Sequence, residues 1–511
     1  MTLSAFKQAP WKNSHQIYKE SALAISPAPE YASSEVLVAS LCRTIGIQDT
    51  SEGIVPQAGR DLNKRLQRYR DKHLKPSLAT VDANTWHTIL HGILESPKLP
   101  NQSTKRFLQV SPLVPGTARF SGSARLSNNS WPAGSLIRRM AWLGSDDAAA
   151  ACTLWSDLFT ALSVNANDDI FAHWLQNEIA AWSDTPLVWQ LIHPSPSDVA
   201  TLPPLDLQHV QFPARQFIKD LRAIIQAKDS MTRRQWTSLL EAVLRLAAVS
   251  HVTWLCEVHD RIWKCVSAAI DGEGPRDENQ ARAAIFPTRL QYLSYGDKAI
   301  PGIKDRASGY LIARLGLNSV LWSLEEASIG YQGFLSSSSD ISALCQHIRE
   351  NRNALVANKT KETITEVVER EARALLCKKG IGSNLLEFAR HALGQRQTAS
   401  TILRGYDQGY VLKKRGTSPS SPWVVSLGPV SVLALVHCAL AGMGGPRSIH
   451  QLSQHLSAYG IVVDRHDIAS NDLGHQLRML GLVLDSPDAE SGMLLLPPFN
   501  ISRMSARDNI Q

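Results

Sequence analysis

The sequence predicts a mainly α, multidomain helical protein, and three observations carry that expectation. Apolar residues recur at three- and four-residue spacing through most of the chain, strand-like alternation is sparse, and Pro- and Ser-rich breaks divide the periodic stretches. At 511 residues, with 44% hydrophobic and 19% charged content, the chain has enough apolar material for substantial cores and is expected to form several domains.

Residues 1–205 read as a helical N-terminal region with basic segments. The stretches "SPAPEYASS" (26–34), "SPKLPNQSTKR" (96–106) and "HPSPSDVATLPP" (193–204) read as its linkers. Residues 206–412 read as a central helical domain. Its strongest stretch is Arg233 to Ile270, where Leu239, Leu240, Val243 and Leu244 give way to Trp254, Leu255, Val258 and Ile262 without a Pro or Gly. That pattern predicts one long helix, or two joined by a kink, ended by "DGEGPRDEN". Further helices are expected from Gly309 to Ile329, Asp340 to Ala357, Lys361 to Cys377 and Asn384 to Leu393. The tryptophans Trp174, Trp182, Trp189, Trp254 and Trp263 lie on apolar-periodic stretches and are expected in cores rather than as base-stacking platforms. Residues 413–427 read as a basic Ser/Pro linker, 428–500 as a compact C-terminal domain and 501–511 as a tail.

The C-terminal domain has the most specific pattern. Leu433, Leu435, Val436 and Leu440 repeat at helical spacing up to the break at Gly442, Gly444, Gly445 and Pro446. Ser448 precedes a second stripe, Ile449, Leu452, Leu456 and Tyr459, closed by Gly460 at a C-cap position. After the short β-branched run 461–463, Asp464 or Asp467 is placed to cap a third helix carrying Ile468, Leu473, Leu477 and Leu480. Two apolar strands, 482–484 and 493–496, follow around a polar link. This order of helix, helix, helix and hairpin resembles the winged-helix superfamily, with "DIASNDLGHQLRMLGLVLD" as third helix and first wing strand.

The net charge of +7 and pI near 9.0 are unevenly distributed. Arg60, Lys64, Arg65, Arg68, Arg70, Lys72 and Lys75 face only Asp61 and Asp71 in one short run, and no acid occurs between Glu95 and Asp146, where Lys105, Arg106, Arg138 and Arg139 lie. A second basic zone from Arg370 to Arg415 includes Lys378, Lys379, Lys413, Lys414 and Arg415. Such segments suit phosphate contacts, because guanidinium, ammonium, hydroxyl and amide groups all donate to phosphate oxygens. The C-terminal stretch Gly416 to Gln511 carries five arginines against seven acids and no lysine, a net of 5 − 7 = −2. Its third helix bears Asp467, Asn471, Asp472 and His475, and acids there would repel phosphate. This charge balance points to a protein-binding or capping use of the module, with direct groove reading by the third helix as the alternative and Arg447 and Arg478 as its nucleic-acid candidates.

Linear catalytic signatures do not emerge: there is no GxxxxGK[ST], HExxH, GxSxG or tandem CxxC. His251, Cys256, His259 and Cys265 form the nearest metal-like set. On one helix they point near about 0°, 140°, 80° and 320°, so a single tetrahedral site would require a break. "KKGIGSN" at 378–384 has glycines before a helix, a weak anion-site pattern. His73, Lys75 and Asp82 distantly echo an HxK phospholipase-D-like arrangement, better explained by chance, and Asp220, Gln226 and Lys228 imitate a nuclease centre whose groups only a fold could bring together. Seven cysteines without regular spacing fit buried thiols, and with no secretory leader or bilayer-spanning apolar run the expected compartment is the cytoplasm.

The expected function is a non-catalytic subunit of a larger machine, without cofactor or metal. It would hold DNA by its backbone with weak sequence preference, and bind a protein partner such as an ATPase, helicase or nuclease through the C-terminal module. In style, though in no specific motif, the chain is similar to accessory subunits of bacterial antiviral-defence or mobile-element operons. The alternatives are a nuclease-like enzyme without a linear motif and a scaffold that binds no nucleic acid.

Overall fold

The computed structural model describes residues 2–25, 34–48, 55–73, 75, 81–94, 110–121, 133–182, 186–193, 210–395, 407–418, 420–443, 445–464, 468, 471–485 and 493–499. The fold is mainly helical, as the periodicity predicts. Its N-terminal helices are α1 (Leu3–Gln8), α2 (Gln16–Glu20), α3 (Ser34–Gly46), α4 (Val55–Asp71), α5 (Ala83–Leu94), α6 (Pro115–Ala118), α7 (Ala133–Gly144), α8 (Ala148–Leu162) and α9 (Ile170–Trp182). There follow α10 (Pro213–Gln226), α11 (Arg233–Ile270), α12 (Glu278–Ile285), strand β1 (Leu293–Ser294) and α13 (Ile300–Glu326). Shorter helices α14 (Ser338–Glu350), α15 (Arg352–Ala357), α16 (Thr360–Arg370), α17 (Ala372–Leu375) and α18 (Gly380–Ala392) complete the middle of the chain.

Helix α11 organises the rest. It runs unbroken for 38 residues, a length of about 57 Å, so the stretch forms one helix rather than two. Thr232 and Gln235 close a capping box at its start, satisfying backbone N–H groups that no preceding turn can reach. From Leu239 to Cys256 every side chain is buried. A helix apolar all round must be surrounded, and α3, α7, α10, α13 and α14 lie against it. By length and composition this helix could cross a membrane, contrary to the expectation that no stretch would, and its apolar window is wholly buried by the other helices.

The C-terminal elements are strands β2 (Leu412–Lys414) and β3 (Trp423–Val425), helix α19 (Pro429–Leu440), β4 (Arg447–Ser448), α20 (His450–Ala458), β5 (Ile461–Val462), α21 (Asp472–Met479), β6 (Val483–Asp485) and β7 (Met493–Leu495). Strands β4, β7 and β6 form a three-stranded antiparallel sheet in that spatial order. Ser448, Leu494 and Leu484 occupy one row across it, and Arg447, Leu495 and Val483 the next. Because successive residues face opposite sides, Leu495 is buried whereas Leu484 and Leu494 are exposed.

Two expectations for this region change. The Ser/Pro stretch read as a linker over 413–427 is a β2–β3 hairpin, with Lys413 paired to Val424 and Lys414 to Trp423. The third helix begins later than predicted: Asn471, not Asp464 or Asp467, is its cap, accepting from the N–H groups of Leu473 and Gly474. Asp467, the wing link 486–492 and the tail lie outside the described residues.

One apolar core runs from Leu3 to Leu495, across the boundaries that the sequence places at 205/206, 412/413 and 427/428. Helix α19 sits within it against α10 and α11, with Val432, Ala434 and Val436 fully buried. Strand β5 pairs in parallel with β1, 168 residues earlier by the Leu293–Ile461 register. A smaller separate core joins Leu62 and Leu66 of α4, Trp86 and Leu90 of α5, and Leu175 and Ile179 of α9.

Candidate nucleic-acid interface

Helix α4 keeps the expected basic face. Leu62 and Leu66, four residues apart, turn into the smaller core, which fixes the rotation of the helix. Lys64, Arg68 and Arg70 are then exposed, as is Lys72 just past the helix end, while Arg65 is half-buried. Its acids are engaged locally: Asp61 lies 3.9 Å from Lys64 Nζ, and Asp71 accepts from Gln67 Nε2 at 3.0 Å. Arg60 is on the same helix, with its side chain outside the described residues, as are Lys105 and Arg106 altogether.

Arg139 is half-buried, and its guanidinium is committed to the chain. Its guanidinium donates to the carbonyls of Ser21, at 2.7 Å, and Ala22. Burial lowers its pKa to about 10. The reason is helical register: Arg139 follows Leu136 by three residues and precedes Leu143 by four, both of them buried, so it shares their side of α7. Arg138 is half-buried beside it.

The second basic zone lies along the main core. Lys378 and Lys379 are exposed immediately before α18. At the β2–β3 hairpin Arg415 is exposed and Lys414 half-buried, and the Arg415 N–H closes the hairpin on Pro422 O at 2.9 Å. Lys413 instead faces Asp472 Oδ2 at 3.7 Å. Arg447 is exposed on β4, and Arg478 is exposed at the end of α21, 3.8 Å from Met493 Sδ. The candidate cations are thus divided between two cores rather than gathered on one.

The first turn of α21 is occupied by the chain itself. Asp472, its first residue, accepts a hydrogen bond from Ser426 Oγ at 2.7 Å while lying beside Lys413. The start of this helix is therefore docked on the β3 end of the hairpin rather than open to a ligand. Its solvent side carries His475, Arg478 and Met479.

The other candidate chemistry separates. On the unbroken α11, His251 stacks on Trp254 at 5.7 Å, and among the described residues neither of its ring nitrogens has a hydrogen-bond partner. Burial, with Arg139 nearby, lowers its pKa to about 3. His259 is lowered by burial to about 4 and lies 2.8 Å from Leu255 O through Nδ1. Burial pushes the Cys256 and Cys265 thiols up. Lys75 donates to Val81 O at 2.7 Å while Asp82 caps α5 through Thr85, and Lys228 faces Asp168 at 3.1 Å rather than Asp220. Among the described residues, no group of three His, Cys, Asp or Glu side chains is placed to hold a metal ion.

Two buried polar clusters have no linear signal. Asp220 on α10, 1% exposed, accepts from Tyr459 Oη at 2.6 Å and Gln216 Nε2 at 2.8 Å, with His455 Nε2 at 3.0 Å. Arg245 on α11, fully buried, binds both oxygens of Asp407 at 2.7 and 2.9 Å and donates to Ala392 O at 2.6 Å. The partners lie 239 and 162 residues apart, beyond the reach of any spacing rule. They fasten the C-terminal elements to the helical body.

No family model matches this chain, and comparison with curated proteins finds no match. What the geometry defines is the class: a mainly helical protein with exposed cations on α4 and around the β2–β3 hairpin.

Proposed function

We propose that this chain is a non-catalytic, nucleic-acid-associated subunit that holds the DNA backbone through surface cations. The observation that carries this reading is the α4 face, where Arg68, Arg70 and Lys72 stand exposed beside Lys64, which lies 3.9 Å from Asp61, while Asp71 is engaged by Gln67. Clustered cations of this kind bind phosphates by counterion release, with little dependence on base sequence.

The order helix, short strand, helix, short strand, helix, hairpin, with the sheet arranged β4–β7–β6, supports a winged helix over residues 429–495. In this reading its third helix does not read the major groove, because the first turn of α21 is spent on Ser426 and Lys413. The module's outward sheet face would instead receive a protein partner such as an ATPase, helicase or nuclease. Leu484 and Leu494, 49% and 39% exposed and directly paired, support that use, as does Met479 at 74%.

The test is a polarisation titration of the full chain on duplex DNA at increasing salt. Four phosphate contacts on α4 predict a log–log slope of about −3.6. Absent binding at low salt, or affinity indifferent to salt, would overturn the reading.

A further inference from the structure

We infer that the groove between α11, α12 and α13 is a binding site for a short peptide with free termini, independent of the proposed DNA surface. The cavity has a volume of about 830 Å³, within the range of about 300–1,000 Å³ typical of preformed ligand sites and large enough for a few residues.

Its floor and its rim differ in chemistry. Ala268, Pro275, Ala284 and Cys265 supply a small apolar floor, and Gly274 and Gly309 leave room above it. A Cβ at Gly309 would come within 3.2 Å of Asp260, and Gly274 holds a φ of +87° over the Cys265 carbonyl. The loop that closes one end is fixed, because Arg349 donates to Glu273 O at 3.2 Å and Pro275 O at 2.9 Å. The opening is therefore built into the fold rather than made by the ligand.

Around the rim stand three acids, Glu257, Asp260 and Asp305, and three cations, Arg261, Lys264 and Arg306. Glu257 takes Arg261 at 3.0 Å on one oxygen and Arg306 at 3.3 Å on the other, and Asp260 takes Lys264 at 2.7 Å. Arg306 is further committed to Gly302 O and Gln291 O. Among the described residues Arg261 engages Glu257 through Nε and Nη2 only, which leaves its Nη1 donors. Asp305, exposed, has no ion pair among the described residues. One open cationic donor and one open carboxylate, in a rim of zero net charge, match a dipolar ligand better than a polyanion. A peptide's terminal carboxylate would meet Arg261 and its terminal ammonium Asp305, with a small aliphatic body on the floor.

The test is calorimetric titration of the full chain with tri-alanine, with N-acetyl-tri-alanine amide and with AMP. Saturable binding of tri-alanine alone is expected, and it should weaken about tenfold or more in Arg261→Ala and in Asp305→Asn, the scale of losing one charge-assisted contact. Both positions are on the rim, and the capped peptide tests the same claim on the unaltered chain. No binding of tri-alanine at millimolar concentration, equal binding of the capped peptide, or preference for AMP would each overturn the assignment. None of these outcomes bears on the DNA reading, whose cations lie elsewhere.

Discussion

Replacing Asp220 tests whether the C-terminal elements are part of the body or an appended module. Its carboxylate is 1% exposed and serves the Tyr459 hydroxyl, the Gln216 amide and the nearby His455 ring from one position on α10. Asp220→Ala removes the shared acceptor and leaves a buried hydroxyl unpaired, so the expected cost is about 3–5 kcal/mol, as for breaking a buried polar network from one side. Tyr459→Phe leaves the other two contacts in place and should cost about 1.5–3 kcal/mol, the worth of one hydrogen bond to a charged group. Denaturant unfolding measures both costs, and amide exchange over α20 and β5 shows where the loosening begins. A loss under about 1 kcal/mol for Asp220→Ala, near the range of surface substitutions, would refute the claim that this cluster fastens the C-terminal elements.

Two further outcomes follow from buried charge. The pKa values of His251 and His259 are lowered in the folded chain to about 3 and 4, below the unfolded value near 6.5, so the unfolded state binds more protons between those limits. Stability is therefore full above about pH 6.5 and falls on acidification, by about 2 kcal/mol per histidine between pH 7 and pH 5. Denaturation midpoints across that window measure it, and His251→Phe should flatten the curve; an unchanged curve would count against the burial assigned to this ring. Asp407→Ala removes the bidentate partner of Arg245, leaving it Glu241 Oε1 at 3.5 Å and the Ala392 carbonyl, and is expected to cost about 3–5 kcal/mol, whereas Arg245→Met with Asp407→Leu and Glu241→Gln, which removes all three charges, should recover much of that loss. A triple variant less stable than Asp407→Ala would contradict the pairing.

How much of this was legible in the sequence depends on the range of the interaction. Helix α11 could be read because an unbroken apolar run begins at a Thr232–Gln235 cap and ends at a Gly-rich turn, all of it local. The α4 cations were legible as a local charge count, but which of them face outward is set by the inward turn of Leu62 and Leu66, which that count did not use. Arg139 misled because the charge count ignored helical phase, which puts it with Leu136 and Leu143. The 413–427 segment misled because its Ser and Pro content suggests a linker, while Leu412 and Val425 bury against elements distant in sequence. The docking of Asp472 on Ser426 and the clusters around Asp220 and Arg245 depend on tertiary placement alone. Because α19 lies within the core, deleting residues 428–511 would expose apolar surface and would not isolate the module's role, so point variants are required.

The central claim is that cations on α4 and at the hairpin hold DNA while the third helix of the C-terminal module does not. The direct measurement is a polarisation titration of one duplex in one buffer from about 50 to 200 mM salt. It compares the unaltered chain with Arg68→Glu/Arg70→Glu, Lys414→Glu/Arg415→Glu and His475→Asp/Met479→Asp. Loss of two phosphate contacts on α4 should flatten the salt slope by about 1.8, so that affinity falls about tenfold less across this range than in the unaltered chain. The hairpin variant should shift in the same direction, and the α21 variant should bind as the unaltered chain does. Binding abolished by the α21 substitutions while both charge reversals leave it intact would put that helix in the groove and contradict the account.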